Sequence, residues 1–174
     1  MNALVILRDL KKETVDGWVE AVFATYPLET TGFLRTKNNP FTNPVAHMTR
    51  EAADILFDAI IGEDIETDKV AGAIERFVKL RAVQKGEPSK SLGVLYVMKP
   101  ILRKTALPAM RKANLLSEYL ECESRLDTVA LLAFDIYMRA RETLAESRIR
   151  EIKNQYAQLA RWAQKLEGSP VPDE

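Results

Sequence analysis

The feature that most constrains the fold is a stretch of 59 residues, Ala109 to Glu167, that contains neither glycine nor proline. Such a stretch favours helix throughout, because glycine and proline interrupt helices most strongly. It is much longer than an ordinary globular helix, so we expect a bend or break near residues 114–117. Elsewhere the apolar residues follow helical spacing, and no segment shows the alternation of a strand. The sequence therefore predicts an all-α bundle of about six helices with a long projecting C-terminal helix.

Turn and capping residues divide the rest of the chain. Asn43 followed by Pro44 is a helix start, and Gly62 is suited to end that helix. Pro100 falls inside a helical pattern and should kink it, because its ring clashes with the carbonyl four residues back. The predicted segments are helices over residues 4–25 with a break near 13–14, an irregular segment over 28–43, and helices over 44–61, over 67–85, from Ser89 onward, and from Pro108 to 167.

The apolar pattern of the last helix changes near residue 147. Residues 129–138 are apolar except Asp135, which favours burial on nearly all sides. After an interruption at 145–148, the apolar residues step by three and four, as in a coiled-coil seam of nearly three heptads. We expect a dimer contact at Ile149, Ile152, Tyr156, Leu159 and Leu166. The predicted organisation is a body over 1–147, a helix extension over 148–167 and a flexible tail over 168–174.

Composition excludes several function classes. Lys plus Arg equals Asp plus Glu, 25 each, so no basic field exists to attract nucleic acid. No apolar run reaches the roughly 20 residues of a membrane span, and the N-terminus lacks the basic region of a signal peptide. We therefore expect a cytoplasmic protein without membrane insertion. One cysteine and one histidine exclude a zinc site built from these two residue types, and no cofactor is expected.

Single reactive residues give weak signals. His47 is expected to be a surface or loop-packing histidine. Cys122 lies between two glutamates, which raise the pKa of a thiol, so a small, partly buried residue is expected. The acids between residues 63 and 68 lack the pattern of a calcium loop and favour a solvated helix start. Because no phosphate loop or nucleophile setting is present, we do not expect an enzyme.

Asp127 and Asp135 are eight residues apart on roughly one helix face, in apolar surroundings. A buried carboxylate needs a partner, and Arg139 is placed to pair with Asp135. Structural ion pairs are favoured over a catalytic acid, which stays open as an alternative. The other positive charge needed to pair with these aspartates could come from across the core, from Arg81, Lys99 or Arg141.

Several strings occur in an order that resembles a known family. They are Trp18 with Tyr26-Pro27, residues 38–45, Arg81-Ala82-Val83-Gln84 followed by Pro88-Ser89, Lys99, Arg125-Leu126-Asp127, and residues 134–142. Over residues 5–155 the chain resembles the RsbRD N-terminal domain family, the sensor half of the RsbT co-antagonists of bacterial stressosomes. The resemblance implies a globin-like, all-helical sensor domain without haem, usually dimeric. In longer relatives the last helix leads into a phosphorylatable STAS domain, and this sequence is expected to be a stand-alone copy.

Two functions remain open at this level. The first is a non-enzymatic sensory or regulatory interaction module, acting as a homodimer on a regulatory protein partner that the sequence does not identify. The second is a haem-free globin-like protein that binds a small molecule between the helices of 70–85, 89–105 and 126–142. Its polar lining would be Arg81, Gln84, Tyr96, Asp127, Asp135 and Arg139. If these groups satisfy one another no ligand is needed, and if they face a void a small anion or polar metabolite is expected.

Overall fold

A computed structural model describes residues 2–36, 39–84 and 86–167. Within these residues the chain is helical and contains no strand, as predicted. The helices are α1 (Ala3–Asp9), α2 (Lys11–Phe23), α3 (Leu28–Thr36), α4 (Pro44–Ile61), α5 (Thr67–Val83), α6 (Pro88–Tyr96), α7 (Met98–Thr105), α8 (Leu107–Lys112) and α9 (Leu116–Glu167). The predicted tail over 168–174 lies outside the described residues. The elements outnumber the six expected because α3 forms in a segment predicted to be irregular and short turns divide the predicted helices that start at residues 4, 89 and 108.

The core forms where α2, α4, α5 and α9 pack together. Trp18 on α2 is fully buried, stacks at a tilt against Phe77 with ring centroids 5.5 Å apart, and donates its indole N–H to the Val94 carbonyl at 2.7 Å. A buried indole needs such a partner, so this contact fixes α6 over the core. The break between α1 and α2 falls at Leu10, three to four residues before the predicted position.

The segment after α2 corrects a prediction. Residues 28–43 were expected to be irregular, but Leu28–Thr36 forms α3. The Thr31 hydroxyl donates to the carbonyls of Phe23 and Pro27 at 3.2 and 3.0 Å, and Leu34 is buried. These tertiary contacts outweigh the weak helix propensity of this threonine- and glycine-containing stretch.

Helix α4 confirms the capping prediction. The Asn43 side chain accepts from the Ala46 N–H, Pro44 is the first helical residue, and Gly62 ends the helix in the left-handed conformation with φ 87°. A Cβ at Gly62 would lie 2.8 Å from Nη1 of Arg125, so glycine also leaves room for that side chain. Local capping chemistry alone was sufficient to place this helix.

Pro100 separates two helices. Helix α6 ends at Tyr96, the residue four positions before Pro100, and α7 starts at Met98. This is the expected consequence of the proline ring, and the two helices are separated by Val97 alone, which keeps right-handed helical dihedrals. Pro108 opens only the short α8, since Asn114 takes a positive φ of 57° and α9 begins at Leu116. The predicted break near residues 114–117 is therefore confirmed.

Helix α9 contacts the core with one face. Tyr119, Leu126 and Ala133 are buried at seven-residue intervals, and Cys122 and Tyr137 lie beside them. The expectation that residues 129–138 are buried on nearly all sides is wrong. Leu131, Leu132, Phe134 and Met138 are exposed, because no described element covers the outer face of α9. From residue 145 to 166 every side chain is exposed, so this part of α9 extends beyond the body.

Candidate functional site

A cleft of about 660 Å³ lies where the end of α2, the end of α5 and the start of α6 meet. Its polar lining comes from Thr25, Tyr26, Arg81, Gln84, Ser89, Lys90 and Ser91. Among the described residues its lining includes two cationic side chains and no carboxylate, and one of the two, Lys90, pairs at 3.3 Å with Glu87, which does not line the cleft. The cleft forms here because two helix ends lie close together in the chain. Helix α5 ends at Val83, and α6 begins five residues later at Pro88.

Arg81 is the central residue of this cleft. Only 6% of it is exposed. Its Nε donates to the Ser91 carbonyl at 3.3 Å, and its Nη1 donates to Thr25 Oγ1 at 3.2 Å and to Gln84 Oε1 at 3.4 Å. The guanidinium carbon lies 5.3 Å from the ring centroid of Tyr26, which is cation–π distance. These contacts hold the guanidinium against the wall of the cleft.

Gln84 completes the network by donating from Nε2 to the Tyr26 hydroxyl at 2.9 Å. The amide thus accepts from Arg81 on one side and donates to Tyr26 on the other. Three polar side chains that line the cleft are therefore oriented by one another. Thr25 and Tyr26 were not predicted as site residues, since their position after α2 shows no pattern that would link them to Arg81.

Tyr96 and Asp127 form a second, separate group around Lys99. The Lys99 ammonium pairs with the Asp127 carboxylate at 2.7 Å and lies 5.7 Å from the Tyr96 ring centroid. The Asp127 side chain is 48% exposed, so it is not the buried acid that the apolar sequence around it suggested. Lys99 was one of the predicted charge donors, and this ion pair connects α7 to α9.

Asp135 and Arg139 form a third group on the exposed side of α9. Arg139 Nε donates to the main-chain carbonyl of Asp135 at 3.4 Å, within a shallow depression shared with Glu75 and Lys79. The six residues expected to line one pocket therefore lie in three places. The reason is that Asp135 is exposed and Asp127 lies at the edge of the core beside α7, whereas Arg81 contacts Thr25 and Tyr26 at the end of α2.

The predicted contact residues of the last helix form an exposed apolar stripe, which we call the α9 seam. Ile149, Ile152, Tyr156, Leu159 and Leu166 expose between 51 and 76% of their surface. Trp162, 71% exposed, lies beside them and was not predicted, because it falls one position away from the three-and-four spacing. Counting back by sevens from Ile152 reaches Met138 and Leu131, which are also exposed.

The α9 seam does not continue the core face of the helix into the extension. Continuing the buried register of Ala133 by sevens into the extension reaches Ser147, Asn154 and Arg161, all polar. From residue 145 to 166 no described part of the body covers the helix, because every side chain there is exposed. The stripe can therefore be covered only by something outside the body.

The remaining candidate residues show no reactive setting. Cys122 is buried and donates from Sγ to the Glu118 carbonyl at 3.3 Å, and burial raises the pKa of its thiol. His47 is partly exposed in the first turn of α4. The Glu63 carboxylate forms an ion pair with the Arg8 guanidinium. In the described ranges no cluster of three or more His, Cys, Asp or Glu side chains could hold a metal ion, and no helix is both long and apolar enough to cross a bilayer.

The sequence model of the RsbT co-antagonist protein rsbRD N-terminal domain matches residues 12–152. This chain belongs to the RsbRD N-terminal domain family. The match spans α2 to α8 and α9 as far as the start of the α9 seam. Comparison with curated proteins and with solved structures finds no match. The resemblance read from the ordered strings is thus confirmed at the level of the family, which indicates a sensory or regulatory domain.

Proposed function

We propose that this chain is a non-enzymatic regulatory interaction module of the RsbRD type that acts as a homodimer joined through α9. The family supports the regulatory role. The observation that carries the dimer is the α9 seam, an exposed apolar stripe in heptad register on an exposed helix extension. The extension of residues 148–167 is about 30 Å long, and an isolated helix of that length gains little stability without a partner.

A second copy of the chain is the occupant that best fits the α9 seam. Residues at a and d positions in one helix pack into the gaps between the same residues of another, so the stripe is complementary to itself. The stripe is also continuous with exposed Leu131 and Met138 on the body, which lengthens the surface that a partner helix would cover. A regulatory protein partner would then bind the assembled dimer.

A continuous α9 links the body to this contact. The helix runs for 52 residues without interruption, from the core contacts of Tyr119 to Leu166. A rotation or shift of α9 within the body would therefore move the dimer contact. We propose this motion as the route by which a signal reaches a partner protein.

The test is the mass of the protein in solution, measured by light scattering after size-exclusion chromatography. The double variant I152E/L159E places two charges in the α9 seam and is expected to be monomeric, as is a chain that ends at residue 147. The control A157E/Q164E adds the same two glutamates on the opposite side of the extension and should stay dimeric. A monomeric unmodified chain, or a dimer that survives I152E/L159E, would refute the proposal.

A further inference from the structure

The Arg81 cleft holds a positive charge that no carboxylate of the described residues neutralises. None of the ion pairs in the described parts of the chain includes Arg81, although it is 94% buried. Buried charges are normally paired, because removing a charge from water without compensation is unfavourable. The hydrogen bonds and the Tyr26 ring orient the guanidinium but carry no net negative charge.

Donor groups remain beside this charge. A guanidinium has five N–H groups, and the hydrogen bonds formed with described residues use those of Nε and Nη1, which leaves the two of Nη2. The nine-residue helix α6 starts at the same cleft, with Ser89 and Lys90 in its lining. Pro88 has no N–H, and the N–H groups of Lys90 and Ser91 donate to the Glu87 carbonyl at 3.1 and 3.0 Å, which leaves the N–H of Ser89. This N–H and the positive dipole end of α6 favour an anion at this position.

Part of the cleft wall is apolar. Pro27, Val94 and Val97 line it, and Gly93 leaves a gap in which an added Cβ would meet no atom within 4 Å. The volume of about 660 Å³ lies within the range of sites for small organic ligands. The cleft therefore offers an anion site and an apolar surface side by side.

We propose that the Arg81 cleft binds a small organic anion. Its carboxylate or phosphate group contacts Nη2 of Arg81 and the first turn of α6, and its apolar part packs on Pro27, Val94 and Val97. This site is separate from the α9 seam and goes beyond the proposed dimeric function, since it assigns a chemical class to what the body of the protein detects.

The experiment is an NMR titration of the ¹⁵N-labelled full chain with benzoate, phenyl phosphate and inorganic phosphate, with benzamide as the uncharged probe. At constant ionic strength, benzoate or phenyl phosphate should produce saturable shifts in the amides of Thr25, Gln84 and residues 89–94. Inorganic phosphate should bind more weakly than phenyl phosphate, and benzamide should not saturate. No saturation with either aromatic anion, or equal binding of benzamide, would overturn the proposal.

Two variants test the location of the site. R81M removes the charge, and G93L fills the gap while leaving Arg81 and its hydrogen bonds in place, so the test survives if R81M fails to fold. Each is expected to weaken binding of the better anion by about tenfold or more. G32L makes the same change at an exposed helical glycine of α3 and should bind as the unmodified chain does. Unchanged affinity in G93L would refute this site.

The dimer variant separates this inference from the proposed function. I152E/L159E leaves the cleft intact and is expected to bind the same anion with unchanged affinity as a monomer. Loss of binding in that variant would contradict a cleft contained in one chain. A dimer that forms normally but binds no aromatic anion would overturn the ligand proposal alone.

Discussion

At the scale of single residues, two buried tyrosines on α9 differ in what their hydroxyls contact. Tyr119 donates to Glu123 at 2.7 Å, whereas the Tyr137 hydroxyl is buried and has no hydrogen-bond partner among the described residues. Y119F is therefore expected to lower the free energy of unfolding by about 1 kcal/mol, and Y137F to leave it unchanged or raise it. Urea denaturation of both variants measures the difference. A larger loss for Y137F would show that its hydroxyl has a partner, such as a buried water.

Glu123 is the residue from which a pH dependence follows. It accepts from Arg103 Nε and Nη2 at 2.9 and 3.0 Å, and its side chain is 14% exposed. These hydrogen bonds, chiefly from Arg103, lower the pKa of the Glu123 carboxyl. A carboxyl whose pKa is lower in the folded state contributes stability above its unfolded pKa of about 4.3, and this stability is lost as the pH falls through its folded pKa.

We therefore expect E123Q to reduce the loss of stability between pH 6 and pH 3. Because Arg103 is half exposed, the difference from the unmodified chain should be about 1 kcal/mol. Urea denaturation at both pH values measures it. The control E151Q changes an exposed glutamate of the α9 extension and should leave the pH dependence unaltered. An equal pH dependence in E123Q and the unmodified chain would contradict the assignment.

At the scale of elements, Asn43 joins two helices. Its Oδ1 accepts from the Ala46 N–H at 3.3 Å and caps α4, while its Nδ2 donates to the carbonyls of Phe33 and Leu34 at the end of α3, at 3.1 and 3.3 Å. N43A loses both functions at a buried position and is expected to destabilise the protein by about 2 kcal/mol. N43D keeps the cap but loses the donors.

Chemical denaturation should therefore rank the unmodified chain above N43D and N43D above N43A. The control N39A removes an exposed asparagine from the same connection and should have the smaller effect. If N43D is as destabilised as N43A, the contact with α3 contributes more to the stability than the cap does. Equal stability of N43A and the unmodified chain would contradict both roles.

The elements that sequence could predict are those defined by local chemistry. The cap at Asn43, the stop at Gly62 and the break before Pro100 each depend on a few neighbouring residues. Helix α3 was missed because its stability comes from contacts of Thr31 and Leu34 with residues outside it. The inner and outer faces of α9 were also not separated, since exposed Leu131 and Phe134 are as apolar as buried Ala133 between them.

The candidate site shows the same limit. Arg81 and Gln84 were both predicted to line a pocket, and they do line one cleft. The other four predicted residues lie elsewhere, since charge in an apolar stretch does not show which side of a helix it occupies. Thr25 and Tyr26 reach Arg81 from more than 50 positions away in the chain, and only the packing of α2 against α6 and α5 reveals that contact.

At the scale of the whole molecule, α9 has two roles, folding and association, and different parts of its surface serve each role. The face that includes Tyr119, Leu126 and Ala133 holds the body together, and the exposed α9 seam beyond the body is available to a second copy. Changes in the seam should therefore alter association without altering the core. Dimerisation affects the stability of the body only through mass action, because the second copy of the chain binds the folded state and not the unfolded state.

This coupling predicts a thermal stability that depends on protein concentration. For a dimer of this size, each tenfold dilution should lower the Tm by about 2 °C, because dilution favours the separated chains. I152E/L159E should show a Tm that does not change with concentration, whereas the control A157E/Q164E should follow the unmodified chain. Scanning calorimetry over a hundredfold concentration range measures the slope. A Tm of the unmodified chain that is independent of concentration would mean that association does not contribute to the stability of this protein, and the α9 seam would then need a different partner.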